Sequence, residues 1–179
     1  MEALSKTSMP TFSVSGGLAS NYVGAEINTG IGNTTVAIDY NNLSILPQVR
    51  GAAHFDLSEY KVGPYINFML GTNKNKNVSD LVSTNVKNQY EVGMAVQRNF
   101  AEKLDLTGKI GYAGAKTVVT GGVSQDAKIH GTAMGIGAIY DWQDNVKFIT
   151  DYTFTKYKDL NAAKKLRAYT SSVSMTYAF

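Results

Sequence analysis

The last eleven residues constrain the fold more than any other feature of the chain. In the segment Tyr169 to Phe179, one set of alternate positions holds Tyr169, Ser171, Val173, Met175, Tyr177 and Phe179. The other holds Thr170, Ser172, Ser174, Thr176 and Ala178. A helix would scatter the two sets around its circumference, whereas a strand sends successive side chains to opposite faces. The segment therefore reads as a β-strand with one apolar, aromatic face and one small, polar face.

The same alternation recurs upstream. Val146, Phe148, Tyr152 and Phe154 oppose Lys147, Asp151, Thr153 and Thr155, and Met134, Ile136, Ala138, Tyr140 and Trp142 oppose a face of Ala, Gly and Asp. Leu104, Leu106, Ile110 and Tyr112 form another such face, as do Tyr90 to Phe100 and Tyr60 to Leu70. Shorter runs cover Phe12 to Leu18, Val23 to Ile31, Thr34 to Tyr40 and Val49 to Leu57. Only Leu160 to Arg167 has helix-friendly composition, and it is too short to form a stable helix alone.

Composition narrows the alternatives. At 179 residues the length suits one domain, and the absence of cysteine excludes a disulfide scaffold and any Cys-based zinc or iron–sulfur site. It also agrees with passage through an oxidising compartment. No run approaches the roughly 18 apolar residues of a membrane helix, and eleven Tyr, seven Phe and one Trp argue against disorder.

An apolar strand face can meet a protein core or lipid, and three features favour lipid. The opposite face is rich in Gly, Ala, Ser and Thr with charges in mid-strand, as suits the inside of a membrane barrel. Tyr60, Phe100, Tyr140, Trp142, Tyr177 and Phe179 gather near one set of turns, as an interfacial girdle would. Connection lengths also alternate. Tight turns are expected at Gly32-Asn33, Ser58-Glu59, Ala101-Glu102 and Gln143-Asp144, and longer polar loops near 71–88, 116–128 and 158–165. Short periplasmic turns and longer outside loops are the outer-membrane pattern.

The terminal Ser-Met-Thr-Tyr-Ala-Phe resembles the C-terminal signature of bacterial outer-membrane barrels. That resemblance implies a location in the bacterial outer membrane and recognition of Tyr177 and Phe179 by the barrel-assembly machinery. Phe12-Ser-Val-Ser-Gly-Gly, Tyr22-Val-Gly and the closing strands are similar to the small YfaZ-like barrels, with the OmpX and NspA group as the other neighbour.

The expected fold is a closed antiparallel transmembrane barrel over 11–179, following a tail at 1–10. Ten strands are preferred. Eight is the alternative, if Thr11 to Ile31 lies outside the wall. Pro64 lacks a ladder donor, which predicts a bulge near Gly63-Pro64. The first residues, Met1 to Met9, lack the basic start and apolar core of an export signal. Met1 is therefore expected to stand where a removed signal ended.

The net charge of +3 hides a split. Lys74, Lys76, Lys87, Lys116, Lys128, Lys156, Lys158, Lys164, Lys165 and Arg167 fall in or beside the long loops, against Asp80, Asp126 and Asp159. A basic outer rim suits contact with lipopolysaccharide phosphates, or is simply a solvated surface. Stacking aromatics do not interleave with these lysines, which argues against nucleic acid. By parity the inward set includes Glu26, Asp39, Arg50, His54, Asp56, Lys61, Glu91, Asp105, Lys109, Lys147 and Asp151. Both signs are present, so a paired lumen network is expected rather than the one-sign ring of an ion-selective channel.

Catalytic readings are weak. His54, Asp56 and Ser58 share a strand face at i, i+2 and i+4, but such neighbours lie roughly 7 Å apart, too far for a proton relay. His130 near Asp126 could activate water, yet its parity sets it with Met134 and Ile136 on the lipid side. No phosphate loop, dinucleotide motif or metal spacing is present, and no cofactor is expected. The expected role is that of a non-enzymatic outer-membrane barrel acting through its wall and basic loops in membrane integrity, adhesion or surface contact. A narrow porin-like channel and an outer-leaflet lipid-modifying enzyme are the alternatives.

Overall fold

The computed structural model describes residues 9–31, 34–74, 83–120, 125–158 and 163–179, with side chains for those outside 25–42, 72–86, 117–127 and 163–165. Eight antiparallel strands run in chain order: β1 (Thr11–Ile31), β2 (Thr34–Leu57), β3 (Tyr60–Lys74), β4 (Ser83–Ala101), β5 (Leu104–Thr120), β6 (Gln125–Gln143), β7 (Val146–Tyr157) and β8 (Ala163–Ala178). Each pairs with its neighbour in sequence, and β1 pairs with β8 to close the barrel. The C-terminal strand found by period alone is this closing strand, with Val14 opposite Tyr177 and Tyr22 opposite Tyr169.

Eight strands replace the preferred ten because the first four short runs are two long strands. β1 continues through Ser20-Asn21, where a connection was expected. Asn21 is fully buried, and its side-chain oxygen accepts a hydrogen bond from Thr170 Oγ1 at 3.1 Å. β2 likewise continues through Asn41, Asn42 and Pro47. Polar residues in mid-strand resemble a loop only if the interior is apolar, and the interior here is polar. Thr11–Ile31 lies in the wall, which also removes the reason given for the eight-strand alternative.

The turn expected at Gly32-Asn33 falls on residues outside the described ones, and the eight-strand count puts the β1–β2 connection at the end opposite both termini. Two-residue turns at Ser58-Glu59, Glu102-Lys103 and Asp144-Asn145 close the end that carries Thr11 and Phe179. The strands also reach into the ranges expected as loops, since Lys74 pairs with Asn85, and Lys116 with both Lys87 and Lys128.

The wall is inside-out relative to a soluble protein. Leu18, Ile45, Ile136 and Met175 point outward, with Ile45 at 72% and Ile136 at 70% exposure. Ser15, Gln48, Asn67, Thr153 and Ser174 are buried inside. Such an outward band needs hydrocarbon around it, and closure of the ladder leaves no strand edge unpaired within that hydrocarbon.

Pro64 produces a gap rather than the expected bulge. The β2–β3 ladder passes from Ala52–Tyr65 to Phe55–Val62, with two residues between on each strand, while β3–β4 pairs without interruption through Pro64–Met94. At this gap Gly63 packs so closely that an added Cβ would overlap the Ala53 carbonyl. A Cβ on Gly108 meets nothing within 4 Å. Gly63→Val is therefore expected to abolish refolding into detergent micelles, judged by the heat-modifiable gel shift. Gly108→Val should refold like the wild type.

Candidate functional site

Four ionised side chains from four strands meet in the barrel lumen. Arg50 on β2 directs Nη2 to both carboxylate oxygens of Asp151 on β7, each at 2.9 Å. Lys109 Nζ on β5 lies 2.5 Å from Asp151 Oδ1 and 3.7 Å from Glu91 Oε2 on β4. The Tyr65 hydroxyl on β3 donates to Glu91 at 2.5 Å, and Ser172 Oγ on β8 donates to Asp151 at 2.5 Å. Lys109 also stands 5.6 Å over the Tyr65 ring. Two cations and two anions thus balance, and the charged side chains are all at least nine-tenths buried.

Sequence parity puts each of these residues inward because charges alternate with lipid-facing apolar residues along every strand. Burial of four ions is costly unless each is paired, and the pairing ties six of the eight strands together across the lumen. The cluster therefore places mutually bonded side chains from six strands within the lumen. Nearer the tight-turn end, Asp105 is held by the amides of Gln97 and Asn99.

Among the described side chains, the remaining inward candidates do not join this cluster. His54 and Lys61 are half-buried nearer the tight-turn end, and Asp56 is exposed. Lys147 Nζ lies 2.8 Å from Asp141 Oδ1. The backbones of Glu26 and Asp39 are register partners on β1 and β2, but their side chains lie outside the described ones. Tyr65 and Ser172 were not singled out from sequence. Their inward parity was legible, yet only the register reveals which carboxylate each meets.

The His54 set does not assemble. Ser58 is in a turn at φ 58°, so it does not continue the strand face of His54 and Asp56. His130 stacks on Tyr112 with ring centroids 5.8 Å apart, on the outward surface, and the Asp126 side chain lies outside the described ones. Among the described residues no group of three His, Asp or Glu side chains could hold a metal ion.

Aromatic and basic side chains mark the two ends of the outer surface. At the tight-turn end Tyr60, Phe100, Tyr140, Trp142, Tyr177 and Phe179 are exposed, Phe179 by 72%. At the other end Tyr90, Tyr112, His130, Tyr152, Phe154, Tyr169 and Tyr22 form a second belt, with Tyr169 against Tyr22, Tyr152 and Phe154. This belt was absent from the sequence reading, although its outward parity next to the lysines was a sufficient signal. From Phe179 to Tyr169 is ten strand steps. At ~3.3 Å each and a tilt of about 40°, this gives a height of about 25 Å, the apolar band of an outer-membrane barrel.

Beyond the second belt lies a basic band. Lys87, Lys116 and Lys128 are consecutive register partners across β4, β5 and β6, and Lys156 is the partner of Arg167 across β7 and β8. Lys116, Lys128, Lys156, Lys158 and Arg167 are exposed. Lys76 lies outside the described residues, as do the side chains of Lys74, Lys164 and Lys165.

The model of the family described as "outer membrane protein beta-barrel domain" matches residues 3–179. The chain belongs to this family. It is an integral protein of the bacterial outer membrane. No curated protein sequence matches it. The barrel is similar to Ail, the attachment invasion locus protein of Yersinia pestis, solved with the heparin analogue sucrose octasulfate. Here the TM-score is 0.62 at 16% identity, over 96% of this chain and 100% of that one. It is similar to Neisserial surface protein A, with TM-score 0.60 at 14% identity over 94% and 97% of the two chains. It is also similar to the outer membrane protease OmpT of Escherichia coli, with TM-score 0.57 at 10% identity over 99% of both. At these identities the likenesses speak for the fold of the family barrel.

The lumen cluster carries a direct expectation for stability. Asp151→Ala strands Arg50 and Lys109 in the interior and should lower the unfolding free energy in micelles by about 3–5 kcal/mol. Glu59→Ala removes an exposed ion pair with Arg98 and should change it by less than about 1 kcal/mol. Urea titration followed by Trp142 fluorescence measures both.

Proposed function

We propose that this outer-membrane barrel is non-enzymatic and acts through its outer surface, by binding the phosphate groups of lipopolysaccharide with the basic band above the second aromatic belt. The observation that carries the reading is Lys156 directly opposite Arg167 on β7 and β8, with Lys128 and Lys158 also exposed at this end. Directly opposed like charges destabilise a sheet, and an anionic layer at that height relieves the conflict. The belt below sets the height, because Tyr rings settle where hydrocarbon meets headgroups. Such bridging would serve membrane integrity, and adhesion or surface contact would use the same outer surface. The Ail structure was solved with a heparin analogue, sucrose octasulfate, which agrees with polyanion binding by this kind of barrel.

Two other readings are weaker. A solute channel is opposed by the Arg50–Asp151–Lys109–Glu91 cluster. Rim catalysis, for which OmpT supplies a protease precedent, is opposed by His130 lying against Tyr112 on the outward face. Assembly through the C-terminal strand remains part of this proposal: Tyr177 and Phe179 are outward, with rings 5.2 Å apart, on the strand that closes the barrel.

Each basic residue near an anionic surface contributes about 1 kcal/mol. The triple variant Lys128→Gln, Lys156→Gln, Arg167→Gln should therefore bind lipopolysaccharide about a hundredfold more weakly at low salt. Lys103→Gln, at a turn on the opposite end, should bind like the wild type. Equal binding by both variants would mean that the band is merely solvated. Mass analysis of lipid A incubated with the barrel should show no change, and a new species would establish rim catalysis instead.

A further inference from the structure

A second, separate feature lies at the periplasmic mouth. Between the lumen cluster and the tight turns is a recess of about 50 Å³ lined by His54, Lys61 and Lys147, with the hydroxyls of Thr11 and Ser13 at its edge. A water needs roughly 10–15 Å³ of such space, so the recess takes a few waters or one small anion. No carboxylate is among its lining residues. Of the nearby acids, Asp105 is held by Gln97 and Asn99 and Asp141 by Lys147, while the exposed Asp56, register partner of Lys61, also acts on His54. Lys61 has no ion pair among the described residues, and its charge and that of Lys147 both act on His54. Three nitrogen groups thus converge from β2, β3 and β7 on one space, and of the three only Lys147 has an ion pair among the described residues.

We propose that this recess is a binding site for a small anion, a carboxylate or phosphate group taken from the periplasm, held by Lys61 and Lys147 with His54 as a third donor. The site is a dead end, because the bonded Arg50–Asp151–Lys109–Glu91 cluster stands in the lumen beyond it. An anion there is bound rather than passed. Convergent charge-assisted donors suit a compact anion with several acceptor oxygens, and partial enclosure by Ile139 and Ile149 strengthens each contact. The inference does not depend on the outer-surface reading, since the two sites are at opposite ends of the barrel.

The chain has two histidines, and they report separately on the two ends. The experiment titrates inorganic phosphate into the refolded, imidazole-labelled barrel in micelles, at fixed pH and ionic strength. The expected result is a saturable shift of the His54 resonances that weakens about tenfold or more in Lys61→Gln and is unchanged in Lys128→Gln. A His54 signal that does not move in the folded wild type would overturn the proposal. So would movement of His130 alone, or equal affinity in Lys61→Gln. If Lys61→Gln does not refold, Lys147→Gln is judged by the same criterion.

Discussion

Everything in this molecule depends on the closure of β1 against β8. Within hydrocarbon an unpaired backbone N–H or carbonyl has no water to turn to, and each costs several kcal/mol. An open eight-stranded sheet would expose two such rows. The register from Ser13–Ala178 to Ile27–Ala163 removes both at once, and the apolar outer face can then meet lipid. Closure also fixes the radius, since eight strands leave an interior just wide enough for side chains to fill. The polar face, with nowhere else to go, becomes the core.

That core is built on a different logic from a soluble one. Its small residues let the wall curve, and its charged residues hold opposite walls together. Asp151 receives Arg50, Lys109 and Ser172 from three other strands, so a single carboxylate coordinates much of the lumen. With these bonded side chains in the lumen, the barrel meets its surroundings at its two ends and its wall. The outer end presents Lys156 opposite Arg167 with exposed Lys128 and Lys158, the surface proposed to meet an anionic partner. The periplasmic end presents the recess lined by His54, Lys61 and Lys147. Both follow from where the alternation of each strand leaves its charges.

The wall was legible in the sequence because period two is a local property, and a membrane barrel states it twice, in the apolar set and in the polar set. Strand number was less legible. Asn21 and the Asn41-Asn42 pair look like turn chemistry, and only burial against the neighbouring strand distinguishes an inward Asn from a loop Asn. The inward parity of Arg50, Glu91, Lys109 and Asp151 was readable. Their grouping was not, because it depends on the stagger between strands, which no single strand encodes. The same stagger sets His54 and Lys61 apart from the cluster, and it aligns Lys87, Lys116 and Lys128 into one row. The Pro64 gap was placed correctly but given the wrong form, since a missing donor can be absorbed by skipping a pair as well as by inserting a residue.

We propose that the lumen is sealed by its own ion pairs and that function resides at the surfaces. Single-channel recording in a planar bilayer tests it most directly, on protein whose fold has been confirmed by β-rich circular dichroism and the gel shift. The account predicts silence from the folded wild type. Discrete, salt-dependent conductance steps would contradict it, because they require a continuous water path where Arg50, Lys109, Glu91 and Asp151 are bonded to one another.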